Sequence, residues 1–228
     1  MHLVLSGEGP SDLGLFSQFK NEFIAGSMYY IIDKLIEQKY EYSFYDNKKD
    51  TITFVPKIEL KKISKKLPPY TGKKGLQGTG YFINNAIALA KIAKEKSQKL
   101  DDDEVIAILF RDSDGANSSD TTLWQDKVNS INQGFKIEKF DRGVAMVPKP
   151  KSEAWLICTL KEYPYHNCET LEERSGNDNS PNNLKDELAG YDISHAQINE
   201  MIQNGEIDIN QIDMPSFLYF KDSLKELL

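Results

Sequence analysis

Val105-Ile106-Ala107-Ile108-Leu109-Phe110 is a continuous apolar run, and Arg111-Asp112-Ser113-Asp114-Gly115 follows it at once. A run of this length without polar interruption is the pattern of a strand buried on both faces, which belongs in the middle of a parallel sheet. Parallel neighbours need crossover connections, so helices must alternate with the other strands. The rest of the chain supplies that alternation. His2 to Ser6 reads as a strand closed by Gly-Glu-Gly-Pro-Ser-Asp, a turn that ends in a helix N-cap at Asp12. Met28, Ile31, Ile32, Leu35 and Ile36 recur at helical spacing and predict a helix from Ser27 to Gln38.

Further on, Tyr42 to Tyr45 and Thr51 to Val55 are strand candidates, Tyr81 to Lys96 and Thr122 to Asn132 are helices, and Gly143 to Val147 is a strand before a helix from Ser152 to Leu160. Repeated β-loop-α units predict an α/β fold with a mostly parallel sheet flanked by helices. The expected organisation is a metal-binding core over residues 1–160, a loop or linker over 161–183 rich in Asn, Glu, Ser and Pro, and a C-terminal helical region over 184–228 packed on the core. A chain of 228 residues is long enough for one sizeable core with a small appended lobe.

Charge narrows the function classes. A net charge of -7 argues against coating nucleic acid by bulk charge, although Lys57 to Lys66, Lys73-Lys74 and Lys149-Pro150-Lys151 form local basic stretches. No run approaches the roughly 20 apolar residues that cross a bilayer, and the first residues pass directly into a strand without a leader pattern. The expectation is a cytoplasmic protein with no membrane partner. Cys158 and Cys168, ten apart and outside any CxxC pattern, are expected to be reduced thiols without a structural role.

In open parallel sheets, ligands bind beyond the carboxyl ends of the strands, where loops converge. Glu8 follows the first strand there, and Asp112 and Asp114 follow the central one. Residues i and i+2 leaving a strand point to one side, so the two aspartates can reach one cation while Ser113 points away. Magnesium favours a few carboxylate oxygens plus waters and substrate phosphate, and three carboxylates from two adjacent loops meet that need. The plainer alternatives are turn chemistry for Asp-Ser-Asp-Gly and a solvated loop acid for Glu8. Gly7, Gly9 and Gly14 invite a dinucleotide reading, but Glu8 would put an anion where pyrophosphate belongs. Glu153 is a candidate further ligand, and Lys149 or Lys151 a candidate for neutralising transition-state charge. Lys73, Lys74 and Lys149 are candidate nucleic-acid contacts. Trp155 reads as core, and His2, His166 and His195 stand apart from these motifs.

Leu3-Val4-Leu5-Ser6-Gly7-Glu8-Gly9-Pro10-Ser11-Asp12 with Ile108-Leu109-Phe110-Arg111-Asp112-Ser113-Asp114-Gly115 resembles the TOPRIM pattern, a glutamate after the first strand and a DxD after a later one. Pro150-Lys151-Ser152-Glu153-Ala154-Trp155 and Pro215-Ser216-Phe217 are similar to segments of small bacterial TOPRIM-related proteins akin to the overcoming-lysogenisation (OLD-like) nucleases. The resemblance implies a Rossmann-like core over roughly residues 1–155. It implies Mg2+ or Mn2+ held by Glu8, Asp112 and Asp114, with Glu8 also a candidate acid/base. It further implies phosphodiester hydrolysis of nucleic acid, more readily DNA, in phage defence beside an ATPase partner. Nothing here supplies a topoisomerase's tyrosine domain or a primase's zinc module. Two other readings stay open: a non-catalytic adaptor subunit of an ATPase-containing defence system, and an aspartate-based phosphotransferase or phosphatase.

Overall fold

The structure, a computed structural model, describes residues 1–17, 19–20, 22–68, 80–101, 104–113 and 121–228. Lys73, Lys74 and Asp114 lie outside the described residues. The elements in chain order are β1 (His2–Ser6), β2 (Gly14–Ser17), β3 (Glu22–Ala25), α1 (Ser27–Tyr40), α2 (Phe44–Asn47), β4 (Ile52–Phe54), α3 (Lys57–Ser64) and α4 (Gly80–Leu100). They continue as β5 (Val105–Phe110), α5 (Thr121–Ile137), β6 (Gly143–Met146), α6 (Ser152–Leu160), α7 (Leu184–Ala189), α8 (His195–Asn204) and α9 (Pro215–Lys225).

The predicted α/β architecture is present. β4, β1, β5 and β6 form, in that order, a four-stranded parallel sheet flanked by helices, in a Rossmann-like arrangement. The register sets Leu3 opposite Ile106 and Leu5 opposite Ile108, and the pleat sorts side chains between two buried layers. Leu3, Leu5, Ile106, Ile108, Phe110 and Met146 pack with α1, α6 and the C-terminal helices on one face. Val4, Ala107, Leu109 and Ala145 pack with α4 and α5 on the other. β5 is buried throughout, as an unbroken apolar run requires. Among the described residues, no helix is long and apolar enough to cross a membrane.

Three expectations change, and one basic stretch gains a structure. The opening is not β-loop-α, because the antiparallel β2–β3 hairpin intervenes. Gly14 makes that hairpin possible: its φ is +117°, and a Cβ there would lie 2.2 Å from the Ile24 carbonyl oxygen. Tyr42 to Tyr45 does not form a strand. Asp33 of α1 accepts from the backbone N–H groups of Phe44 and Tyr45 at 2.8 and 3.0 Å, and Ser43 accepts from that of Asp46, which curls the segment into α2. The lysine-rich stretch after β4 is the helix α3, with Leu60 fully buried beneath its charges.

The cysteines are also not free thiols, because Cys158 and Cys168 form a disulfide. α6 ends at Leu160, the chain doubles back so that Tyr165 N–H donates to the Cys158 carbonyl at 2.8 Å, and a 3-10 turn starts at Cys168 against the last turn of α6. The reversal leaves the two Cα atoms 5.3 Å apart, within disulfide range. Cys168 and Leu171 are buried in the same core layer as α6 and α9.

Candidate metal centre

Because all four strands run parallel, Ser6, Phe54, Phe110 and Met146 end at one edge of the sheet, and the loops that leave these four residues meet there. The register continues past the strands. Arg111 N–H donates to the Met146 carbonyl at 3.1 Å and Ser113 N–H to the Pro148 carbonyl at 3.1 Å. These bonds hold the Asp112 loop against the segment leading into α6. On its other side, Lys127 of α5, itself buried, donates Nζ to the Ser113 carbonyl at 2.7 Å.

Ser152, the first residue of α6, ties the acids together. Its backbone N–H donates to Asp112 Oδ1 at 3.0 Å, and its hydroxyl donates to Asp12 Oδ1 at 3.0 Å and lies 3.4 Å from Glu153 Oε2. Lys151 at the N-cap offers α6 no side-chain cap. The Asp112 carboxylate, arriving from another strand, satisfies one of the unpaired N–H groups there and lies at the positive end of the helix.

Asp12 is not the side-chain cap of a helix. Its carbonyl accepts from Met28 N–H at 2.9 Å, one of the donors that the first turn of α1 leaves unpaired, while its carboxylate turns toward Ser152. The approach is close: a Cβ on Gly26 would fall 2.2 Å from the Asp12 carbonyl oxygen.

Glu8 completes the group. Lys57, the first residue of α3, lies 3.2 Å from Glu8 Oε1, and Arg111 Nε lies 3.7 Å from it. Arg111 is wholly buried. Its Nη1 donates to the Ser6 and Phe110 carbonyls, while Nε and Nη2 find no hydrogen-bond acceptor among the described residues. Burial pulls this guanidinium below its ordinary pKa, and the nearby Glu8 and Tyr81 oppose that.

The electrostatics of the cluster are unfavourable as it stands. Burial, then repulsion from Asp12, Glu153 and Glu8, holds the Asp112 carboxyl well above the usual carboxylate range, and the Ser152 N–H only partly offsets this. Asp12 is pushed up to about 6, again chiefly by burial, with Glu153 and Glu8 adding to it. Four hard oxygen donors that repel one another at a sheet edge have the chemistry a hard divalent cation would relieve, and magnesium needs only one or two carboxylates beside its waters. As the side chains stand, no group of three His, Cys, Asp or Glu residues among the described ones forms a metal cage.

Of the predicted site residues, Glu8, Asp112 and Glu153 therefore converge. Lys151 is buried and ion-paired with Asp178, which also pairs with Lys185 at 2.9 Å. Lys149 acts electrostatically on Glu172, whose Oε1 accepts from Ser216 of α9. Sequence reasoning alone does not single out Asp12, Lys127, Lys185 or His195 as site residues. Asp12 offers one usable signal, a second carboxylate in the loop of Glu8. Lys185 and His195 offer none, since only the fold returns them to this edge. Compared with models of known protein families, with curated proteins and with solved structures, the chain matches none.

Proposed function

We propose that this chain is a Mg2+- or Mn2+-dependent, TOPRIM-like nuclease that hydrolyses phosphodiester bonds in nucleic acid. The observation that carries the reading is the gathering of Glu8, Asp12, Asp112 and Glu153 at one sheet edge, with Asp12 and Asp112 both shifted upward by burial and mutual repulsion. Shifted carboxyl groups gathered in this way are a mark of candidate functional sites. Asp112, Asp12 and Glu153 would hold the cation, which when bound stabilises charge on the scissile phosphate and lowers the pKa of water. Under this reading Glu8, which lies beside Lys57 and Arg111, would accept the proton of the attacking water. The Nε and Nη2 donors of Arg111 favour an anion nearby. By the sequence resemblance, the setting would be phage defence beside an ATPase partner.

The test is cleavage of plasmid, linear duplex, single-stranded DNA and RNA with Mg2+ or Mn2+ by the wild type, Glu8→Ala and Asp112→Ala. Cleavage that disappears in both variants supports the reading. Intact substrates under every condition, including with any ATPase that co-purifies with the chain, sink it.

A second reading has one observation in its favour. The Asp112 carboxylate already caps α6, a structural task that a non-catalytic adaptor would also need. Under that reading, Asp112→Asn leaves nucleic-acid or partner binding unchanged, because the asparagine oxygen still accepts from Ser152.

A further inference from the structure

Beside the carboxylates lies a cleft of about 390 Å³. One end is polar and shares Asp12, Ser152 and Glu153 with the candidate metal centre. Leu156 of α6, Leu188 of α7 and Ile198 of α8 add apolar lining. Lys185 and His195, both exposed, stand on its rim. The α7–α8 region is thus not only a helical cover for the core. It closes one side of a compartment whose other side is the metal-site loop.

We infer that this cleft seats a single nucleoside unit of the substrate strand, with the adjoining phosphate at the carboxylates. The inference rests on the nuclease reading and names what that site would hold. Size comes first: 390 Å³ is near the lower end of small-molecule sites, enough for one base and sugar and too little for a dinucleotide. Charge comes second. Asp12 and Glu153 at the floor repel a second phosphate, so the part that enters must be uncharged. Shape comes third. A lining that combines apolar side chains with a few carboxylate acceptors suits a base together with its sugar hydroxyls, as in other ligand clefts where few polar groups fix orientation. Lys185 belongs to the site electrostatically, since its charge is favoured first by Asp178 and also by Glu153 and Asp112.

Ala189 gives a clean way to close the cleft. It lines it yet is solvent-exposed at the last position of α7, so a larger side chain there costs the core nothing. Thymidine 5′-monophosphate and adenosine 5′-monophosphate would be titrated calorimetrically into wild type, Ala189→Ser and Ala189→Phe, with Ca2+ present to suppress turnover and thermal melting to verify folding. The proposal expects both nucleotides to bind wild type and Ala189→Ser alike and to bind Ala189→Phe at least tenfold more weakly. Folded Ala189→Phe that binds as the wild type does, or wild type that binds neither nucleotide, overturns it. The two readings separate: a protein that binds nucleotides in this cleft but cuts nothing keeps the cleft and loses the nuclease. One that cuts nucleic acid equally well with Ala189→Phe in place does the reverse.

Discussion

Ser152 donates its backbone N–H to Asp112 Oδ1 at 3.0 Å, across a sequence separation of 40 residues. The bond gives Asp112 two tasks that conflict. As a cap for α6 it belongs at the helix N-terminus, and as one of four clustered acids it sits in a field that opposes its charge. Without a cation the second effect should dominate, because an amide oxygen can cap the helix without the charge. Asp112→Asn is therefore expected to raise the melting temperature in EDTA, because it removes a charge opposed first by burial and then by the neighbouring acids. The stabilisation that Mg2+ gives the wild type should vanish in the variant. Differential scanning calorimetry with and without Mg2+ reads both, and a lower melting temperature in EDTA would show that the charge itself holds the cap.

Asp12 makes the pH dependence specific. Its folded pKa of about 6 exceeds its ordinary value of 3.8. Between those values the native chain keeps a proton that the unfolded chain has released. The folded state binds more protons there, so stability from this group is present below pH 4 and is lost as pH rises through 6, by about 3 kcal/mol at most. Asp12→Asn cannot titrate and still offers an oxygen to Ser152. Urea unfolding without divalent ions should show the wild type losing stability between pH 4.5 and 7 relative to D12N, and parallel profiles would refute the assignment.

The two C-terminal motifs meet through a buried network. Trp155 Nε1 donates to Ser216 Oγ at 2.8 Å, the Trp155 ring packs edge-on against Phe217 at 5.0 Å, and Ser216 N–H donates to Glu172 Oε1 at 2.7 Å. Burial raises the pKa of Glu172, so the carboxylate's value here is its oxygen rather than its charge. Glu172→Gln should change stability by less than about 0.5 kcal/mol at pH 7. Glu172→Ala strands a buried N–H and should cost about 2 kcal/mol. Equal denaturation midpoints for the two variants would count against this account.

Legibility in the sequence depends on where each residue's partners lie. β1, β5 and β6 can be read directly, because strands buried on both faces are apolar without interruption, and the acids after β1 and β5 inherit their position from that. The β2–β3 hairpin cannot, since Leu15-Phe16-Ser17 is too short to show a period and depends on the φ of Gly14. α3 is hidden because Leu60 is its one deeply buried apolar side chain amid lysines. The Asp12 carboxylate looks like a local cap because its partner, Ser152, is 140 residues away. The lysine and histidine of the cleft are brought in by α7 and α8, a helical region expected on the core but with no pattern that says which edge it meets.

The disulfide is illegible for the same reason, and it makes the last prediction. Spacing alone cannot say that the chain reverses after α6, yet the reversal places Cys168 on Cys158 in the core. Closing a loop of 10 residues removes unfolded-state entropy worth about 2–3 kcal/mol. Dithiothreitol should therefore lower the guanidinium midpoint of the wild type, and Cys158→Ala/Cys168→Ala should match the reduced protein and ignore the reductant. The bridge also begins the 161–183 segment that carries Asp178, the partner of Lys151 and Lys185. The carboxylates of the sheet edge are held from elsewhere, by Ser152 and the strand ends. Reduction should thus cost stability while Mg2+ affinity measured by calorimetry shifts less than twofold. Two alkylatable thiols in the native, unreduced protein would remove the bridge and this prediction with it, and a large loss of Mg2+ affinity on reduction would mean that the segment supports the metal site directly.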